Sequence, residues 1–458
     1  MFWFKGEGRM GLNRRRGARI LLAVSVLGGA SIVSATAGAS SKVTDITMWN
    51  DNTYSAAGYT GAPGSAFTLQ KAVAQFEKAN PNIKVSIPKE PFISSTAFNT
   101  LLQSSEIAGT TPDIGELYVG GQVIQSSKFL VPLNKVLGSS YIKSLSGWQF
   151  VTDGFKNGGT IYGVPYGAGY YFTVYYNKAD FVKAGITGSF PTTWSGLVSL
   201  AKKLKAKGIT PFDFGEKEGY FGAWTQDALI SGLDGNTGVL NMYNGKQSLN
   251  SSLLTQPYAA WHVLDADGLT NSDAATLTFS SGLADFAAGK AAMTITDQAF
   301  DGQIVAGLGK NVGLFPVPVL AGSKYTKSLS GGPDNAYVLF KGKSPTVVAA
   351  SVKLIKYLTS LTVQTKQVPL SGQLPNNVSF KANAAFAKSE PLLTDLSTYI
   401  NTDHYQLFEA FDNVMPGSIC SYWYQTNNGV FSGALSPQSA ASGMQSQMKE
   451  YLATAATG

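Results

Sequence analysis

Short apolar runs alternate with amphipathic helical stretches along this chain from about residue 43 onward, which restricts it to folds in which helices cover sheets. DITMWN, IKVSIP, NVGLFPVPVL and NAYVLF have the length and residue types of strands. FTLQKAVAQFEKAN sets Leu69, Val73 and Phe76 at helical spacing, and Asn80 with Pro81 stops the helix. TTWSGLVSLAKKLKAKGIT has Thr193 as an N-cap, Leu197, Leu200, Ala201 and Leu204 on one face, and Gly208 after the last turn. The pattern predicts two α/β domains with mixed sheets, and no internal repeat is visible. The sole cysteine, Cys420, excludes an intrachain disulfide, so packing alone must hold the fold.

The first 39 residues have a different logic. Lys5, Arg9, Arg14, Arg15, Arg16 and Arg19 precede an apolar stretch from Ile20 to about Ala30, and ATAGAS ends it with small residues. This is the order of a secretory signal peptide, with cleavage expected after Ala37 or Ala39. The stretch is too short to span a bilayer, which takes about 20 apolar residues, and Gly28 and Gly29 interrupt it. Arg14 and Arg15 lack the following residues of a twin-arginine signal, so an ordinary basic leader is preferred. Residues 1–39 hold six Lys/Arg and one Glu, and so supply five of the seven net positive charges. The remaining chain is near neutral, and its charge gives no reason to expect a nucleic acid or an anionic membrane as partner. No cysteine follows the apolar stretch, so a lipid-anchoring site is missing and a soluble exported protein, periplasmic or extracellular, is expected.

Several segments can build a binding site. In TPDIGEL, Pro112 and Asp113 open a strand that delivers Glu116 and Tyr118 to a loop, where α/β sheets hold ligands. YYFTVYYN alternates, so Tyr171, Thr173 and Tyr175 share one face and Phe172, Val174 and Tyr176 the other; which one lines a cleft stays open. FAAGKAAMTI reads as a helix end, a glycine turn and a small-residue strand. In SGGPDNA, Gly331 and Gly332 allow close backbone approach, so that Asp334 or Asn335 can reach a hydroxyl. There is no GxSxG elbow, HExxH zinc site or phosphate loop, and no cofactor is expected. Tyrosine-rich ferric-ion ligation is disfavoured, because only His262 and His404 could join the phenolates.

In their order these segments resemble the extracellular solute-binding proteins of carbohydrate ATP-binding-cassette importers, the family of maltose-binding protein. The resemblance is carried by ITMWN, FEKANPNIKVSI, GTTPDIGEL, LVPLN, the run from Ile161 to Gly208, FAAGKAAMTI, VGLFPVPV, AASVKLIKYLTSLTVQ and GQLP, which together span nearly the whole chain after the leader. It implies an α/β, two-lobed, type II periplasmic-binding-protein-like fold with mixed sheets flanked by helices and a hinge between lobes. Residues 42–165 plus 298–360 would form the N-terminal lobe and 166–297 plus 361–458 the C-terminal lobe, with a third crossing near Thr359 to Val363. The expected ligand is a sugar or short oligosaccharide held in the cleft by a monomer and passed, unaltered, to the membrane permease. The resemblance implies a binder and not an enzyme. A secreted glycoside hydrolase is the rival, and it needs two carboxylates about 5 or about 6.5–9.5 Å apart. A binder of another solute on the same fold is a third reading.

Aromatic rings match the apolar faces of a sugar, and acids and amides match its hydroxyl rim. By resemblance the candidates are Trp49, Asn50 and Asp51 after the first strand, Glu116 and Tyr118 after PDI, and Tyr171. Glu218, Tyr220 and Trp224 in EKEGYFGAW and Trp423 in SYWYQ complete the implied set, with Trp423 and Trp224 ranked first. Where the family usually continues FAAGKAAMTI with Gly and Trp, this chain has Asp297 and Gln298, which replace a stacking platform with hydrogen-bonding groups and favour a smaller or differently held sugar. Plain structural roles compete: Trp224 is read equally well as core, Trp261 better as core, and Asp51 and Asp334 equally well as turn-forming residues.

Overall fold

The computed structural model describes residues 42–50, 65–88, 95–156 and 158–455; the leader and Asp51 lie outside them. Among the described residues the strands are β1 (Thr44–Trp49), β2 (Ile83–Ser86), β3 (Ile114–Tyr118), β4 (Gly163–Tyr166), β5 (Tyr170–Tyr171), β6 (Thr173–Asn177), β7 (Met293–Thr296), β8 (Val312–Pro316), β9 (Ser328–Gly332), β10 (Asn335–Leu339) and β11 (Gln406–Phe408). They form a five-stranded sheet of order β2-β1-β3-β10-β4 and two three-stranded sheets, β7-β6-β8 and β11-β9-β5.

The large sheet is mixed: β1 runs parallel to β2 and β3, whereas β10 is antiparallel to β3 and β4. Strand β1 buries Ile46 and Met48, two residues apart, on the pleat's inner face. Helix Leu69–Ala79 starts where the Thr68 hydroxyl accepts from the Lys71 N–H, and it buries Leu69, Val73 and Phe76 against this core. Phe76 meets Tyr357 of helix Pro345–Leu358 at 5.5 Å between ring centroids.

The sheet β7-β6-β8 is antiparallel throughout. Its core contains Val174, Tyr175, Ile295, Leu314 and Phe315 together with Leu197, Ala201 and Leu204 of helix Trp194–Ala206. Thr193 caps that helix by accepting from the Gly196 N–H at 3.2 Å. A further core joins Ile230, Val239, Tyr258, Phe411, Ile419, Trp423 and Met444. Helix Tyr220–Tyr243 breaks at Gly235, whose φ of 56° and ψ of −154° let it pass beside the Phe408 ring.

Two short stretches of chain pass directly from strand to strand between the sheets. From Gly163 to Asn177 the backbone contributes β4 to the large sheet, β5 to the sheet with β9, and β6 to the sheet with β7 and β8. From Ser328 to Leu339 it returns through β9 to β10. Of residues 298–360, β8 and Ile304 therefore pack in the core of β6 and β7, while β10 and helix Pro345–Leu358 belong to the core of the large sheet. Helices Pro345–Leu358 and Leu361–Ser371 meet at a 64° bend, and no single described helix is long and apolar enough to cross a membrane. At Gly331 the backbone has φ 141°, and a Cβ there would stand 1.8 Å from the Tyr170 carbonyl oxygen, so only glycine permits the β5–β9 pairing.

Candidate functional site

A cavity of about 530 Å³ opens where these sheets face one another. The large-sheet core supplies Tyr118 at the end of β3, Gln122 and Gln125 of helix Gly121–Gln125, and Asp334 just before β10. The other cores supply Phe172 beside β6, Tyr220 and Trp224 at the start of helix Tyr220–Tyr243, and Asp297 with Phe300 after β7. Asp412, Asn413 and one face of helix Gly417–Phe431 close the wall.

The rings form a continuous platform. Trp224 stacks on Phe172 at 5.7 Å and 12° and on Tyr220 at 6.1 Å and 16°, and Phe300 lies 6.0 Å from it. Tyr220 also meets Tyr424 edge-on at 5.2 Å. Residues 220 and 224 stand four apart, so one helix face presents both rings. Such a surface matches the C–H face of a pyranose, and the carboxylates and amides that share the cavity match hydroxyls or other donors.

The acidic groups have unusual surroundings. Asp297 is buried, its Oδ1 accepts from the Ala299 N–H at 2.7 Å, and burial, reinforced by the charge of Asp412, pushes its carboxyl up to about 7. Asp412 accepts from the Tyr424 hydroxyl at 3.2 Å and is raised by burial. Behind it, Asp227 accepts from the Phe411 N–H at 2.7 Å; burial and Asp412 hold it well above the usual carboxylate range. Glu409 is buried and raised in the same way, with Oε1 accepting from Asn413 at 2.9 Å. Among the described residues no cluster of three or more His, Cys, Asp or Glu is arranged to hold a metal.

Of the residues expected from sequence, Tyr118, Tyr220, Trp224, Asp297 and Asp334 line this cavity. Trp49, Asn50 and Glu116 lie in or next to the large sheet, half-buried or buried, and are not among the lining residues. Trp423 is fully buried: its indole N–H donates to Gln226 Oε1 at 3.1 Å, and it packs on Phe411 at 4.7 Å. The helical period explains the displacement. Ile419, Trp423, Thr426 and Val430 point into the core, whereas Gly417, Cys420, Ser421 and Tyr424 form the adjacent stripe that reaches the cavity. Tyr171 turns away from the cavity into a core with Leu329, Val368 and Leu374, so in YYFTVYYN it is Tyr170 and Phe172 that reach the cleft.

Glu218 is exposed, and its Oε2 accepts from the Phe279 N–H at 2.8 Å, at the start of helix Phe279–Ala287. Gln298 is fully buried and pairs with backbone rather than facing the cleft. Its Oε1 accepts from the Tyr171 N–H at 2.7 Å and its Nε2 donates to the Tyr171 carbonyl at 2.8 Å, which fastens the segment after β7 to the β5–β6 crossing. Sequence reading left the face of Phe172 open and missed Gln122, Phe300, Asp412 and Tyr424. Of those four, Tyr424 carried a usable signal, its place on the stripe that also holds Ser421.

A family profile described as bacterial extracellular solute-binding protein matches residues 62–365. The Multiple sugar-binding protein of Streptococcus mutans is 26% identical over 312 residues, covering 67% of this chain and 71% of that protein. The sn-glycerol-3-phosphate-binding periplasmic protein of Brucella abortus is 27% identical over 227 residues, 48% of this chain and 50% of its own length. Among solved structures, a chitin oligosaccharide binding protein superposes with a TM-score of 0.73 at 22% identity, over 89% of this chain and 98% of that one.

Proposed function

The chain belongs to the bacterial extracellular solute-binding proteins, and from that premise we propose that it captures a sugar or short oligosaccharide in the cleft and hands it, chemically unchanged, to the permease of an ATP-binding-cassette importer. The observation that carries this reading is one cavity lined both by the Phe172–Trp224–Tyr220 platform and by the polar groups of Asp334, Gln122 and Asp297. The similarity to a multiple sugar-binding protein supports the ligand class.

The two groups of cores act as lobes. Residues 42–165 with 335–360 form one, and most of the rest forms the other, joined through the β4–β6 and β9–β10 crossings and the bend between Leu358 and Leu361. A ligand that touches Tyr118 and Gln122 on one side and Trp224 and Tyr220 on the other gains contacts only when the lobes are shut. That difference in contact free energy is what drives closure, and closure is the signal a permease reads. The basic and apolar start of the sequence supports a place of work outside the cytoplasm.

Screening common mono- and oligosaccharides by thermal shift and tryptophan fluorescence tests the reading. A binding sugar raises the melting temperature by mass action and perturbs Trp224. If no sugar shifts the protein while amino acids or metal ions do, the reading fails. Incubation with labelled oligosaccharides is expected to release no product, and sustained turnover would establish a hydrolase instead.

A further inference from the structure

Charge in the cleft allows the ligand to be specified further, on the premise that the site binds a sugar. We propose that this cleft is built for an amino sugar, a saccharide carrying a protonated amine. Asp297 and Asp412 line the cavity, and Glu409 stands directly behind its wall. The oxygens of Glu409 lie 3.1 and 3.4 Å from the point that a Cβ on the lining residue Gly332 would occupy. Glu409 Oε2 has no hydrogen-bond partner although the residue is only 3% exposed. Among the described lining residues there is no Lys, Arg or His, and among the described ion pairs none involves Asp227, Asp297, Glu409 or Asp412.

Buried carboxylates without a cation are costly, and burial together with the charge of Asp412 raises the affinity of both Asp297 and Glu409 for a proton. Neutral hydroxyls donate hydrogen bonds to such a group but bring no positive charge to favour its ionised form. An ammonium provides donors and charge together, and its charge-assisted hydrogen bonds are about twice as strong as neutral ones. The same ligand retains an apolar ring face for Trp224, and the ring faces of the platform also attract a cation. An anionic ligand such as a sugar phosphate or sn-glycerol-3-phosphate is repelled by the same arrangement, which separates this chain from its glycerol-phosphate-binding relative.

Titration calorimetry with matched series tests the assignment: glucose, glucosamine and N-acetylglucosamine, the corresponding galactose series, and disaccharides of each. The amino sugar of at least one series is expected to bind about tenfold or more tightly than its neutral and N-acetylated partners. Its affinity alone is expected to fall as sodium chloride is raised. Asp297→Asn and Asp412→Asn, checked for folding by circular dichroism, are expected to narrow the gap; the salt dependence of the unmodified protein provides the same readout if a variant fails to fold. Equal or tighter binding of the neutral sugars overturns the amino-sugar inference and leaves sugar binding intact. If no sugar of any series binds, or only a diamine such as putrescine does, both readings fall.

Discussion

Gly121→Ala isolates the closing motion from the stability of the parts that move. Gly121 opens helix Gly121–Gln125 on the large-sheet side, and a Cβ there would lie 2.7 Å from the Val414 carbonyl oxygen and 3.4 Å from that of Asn413. The obstacle is backbone, so no side chain can swing aside, and relief requires the two segments to separate until 2.7 Å becomes at least the 3.4 Å of ordinary contact. Overpacking of this kind costs about 1–3 kcal/mol. Within its own helix the substitution is favourable, by up to about 1 kcal/mol of propensity. Val123 belongs to the large-sheet core and Val414 to the core of Phe411 and Trp423, so the penalty falls on the contact between lobes. Apparent ligand affinity is therefore expected to drop about 5- to 150-fold, while the melting temperature of the unliganded protein changes little. Calorimetry with the best-binding sugar gives the first quantity, and small-angle scattering with and without ligand reports closure. Wild-type affinity with the same ligand-induced compaction would refute the expectation that closure needs Gly121 to pass this close to Val414.

The two tryptophans ranked first from sequence are expected to behave oppositely. Trp224→Ala removes the stacking partner of both Phe172 and Tyr220 and weakens sugar binding by about 2- to 150-fold, the loss of one or two aromatic contacts of about 0.5–1.5 kcal/mol each; unchanged affinity removes the platform from the site. Trp423→Ala instead destabilises the fold by about 3–5 kcal/mol in urea titrations, because a fully buried indole is lost, and a variant of normal stability but lost affinity contradicts its placement. Gln298→Ala leaves the Tyr171 N–H and C=O unpaired inside the protein and is expected to cost about 2–4 kcal/mol; urea midpoints measure it, and an effect below about 1 kcal/mol argues against the fastening role. Asp297 keeps its proton to about pH 7, whereas an unfolded Asp releases it near 3.8, so the native state binds the extra proton in between and stability falls as pH rises from about 4 to about 7. Asp297→Asn flattens part of that slope in midpoints measured at pH 4.5 and 7.5, and an unaltered slope shows that Asp297 does not titrate there.

Much of the scaffold was readable before any coordinates. Helices Leu69–Ala79 and Trp194–Ala206 begin and end at the residues whose side chains or backbone can satisfy helix termini, and the strand of FAAGKAAMTI runs Met293–Thr296 after a positive-φ glycine at 289. These are local effects, decided within a few residues of sequence. The site was less legible. Tyr220 and Trp224 share one helix face and Tyr118 ends a strand, so each was deducible from its own element. Asp412 and Phe300 come from short helical segments whose importance depends on what stands across the cavity.

Gln298 and Trp423 mark the boundary between the two kinds of information. Periodicity, caps and segment order determined an α/β chain with a sugar-binder's inventory of rings, acids and amides, because those signals depend on neighbours within a few positions of one another. Which side of each element faces solvent, core or cleft was decided only when distant segments packed. Trp423 is held in the core, where Gln226, 197 residues away, accepts its indole N–H, and Tyr424 rather than Trp423 lines the cavity. Gln298 became a brace because Tyr171, 127 residues away, presents a backbone N–H and carbonyl that burial leaves no water to satisfy.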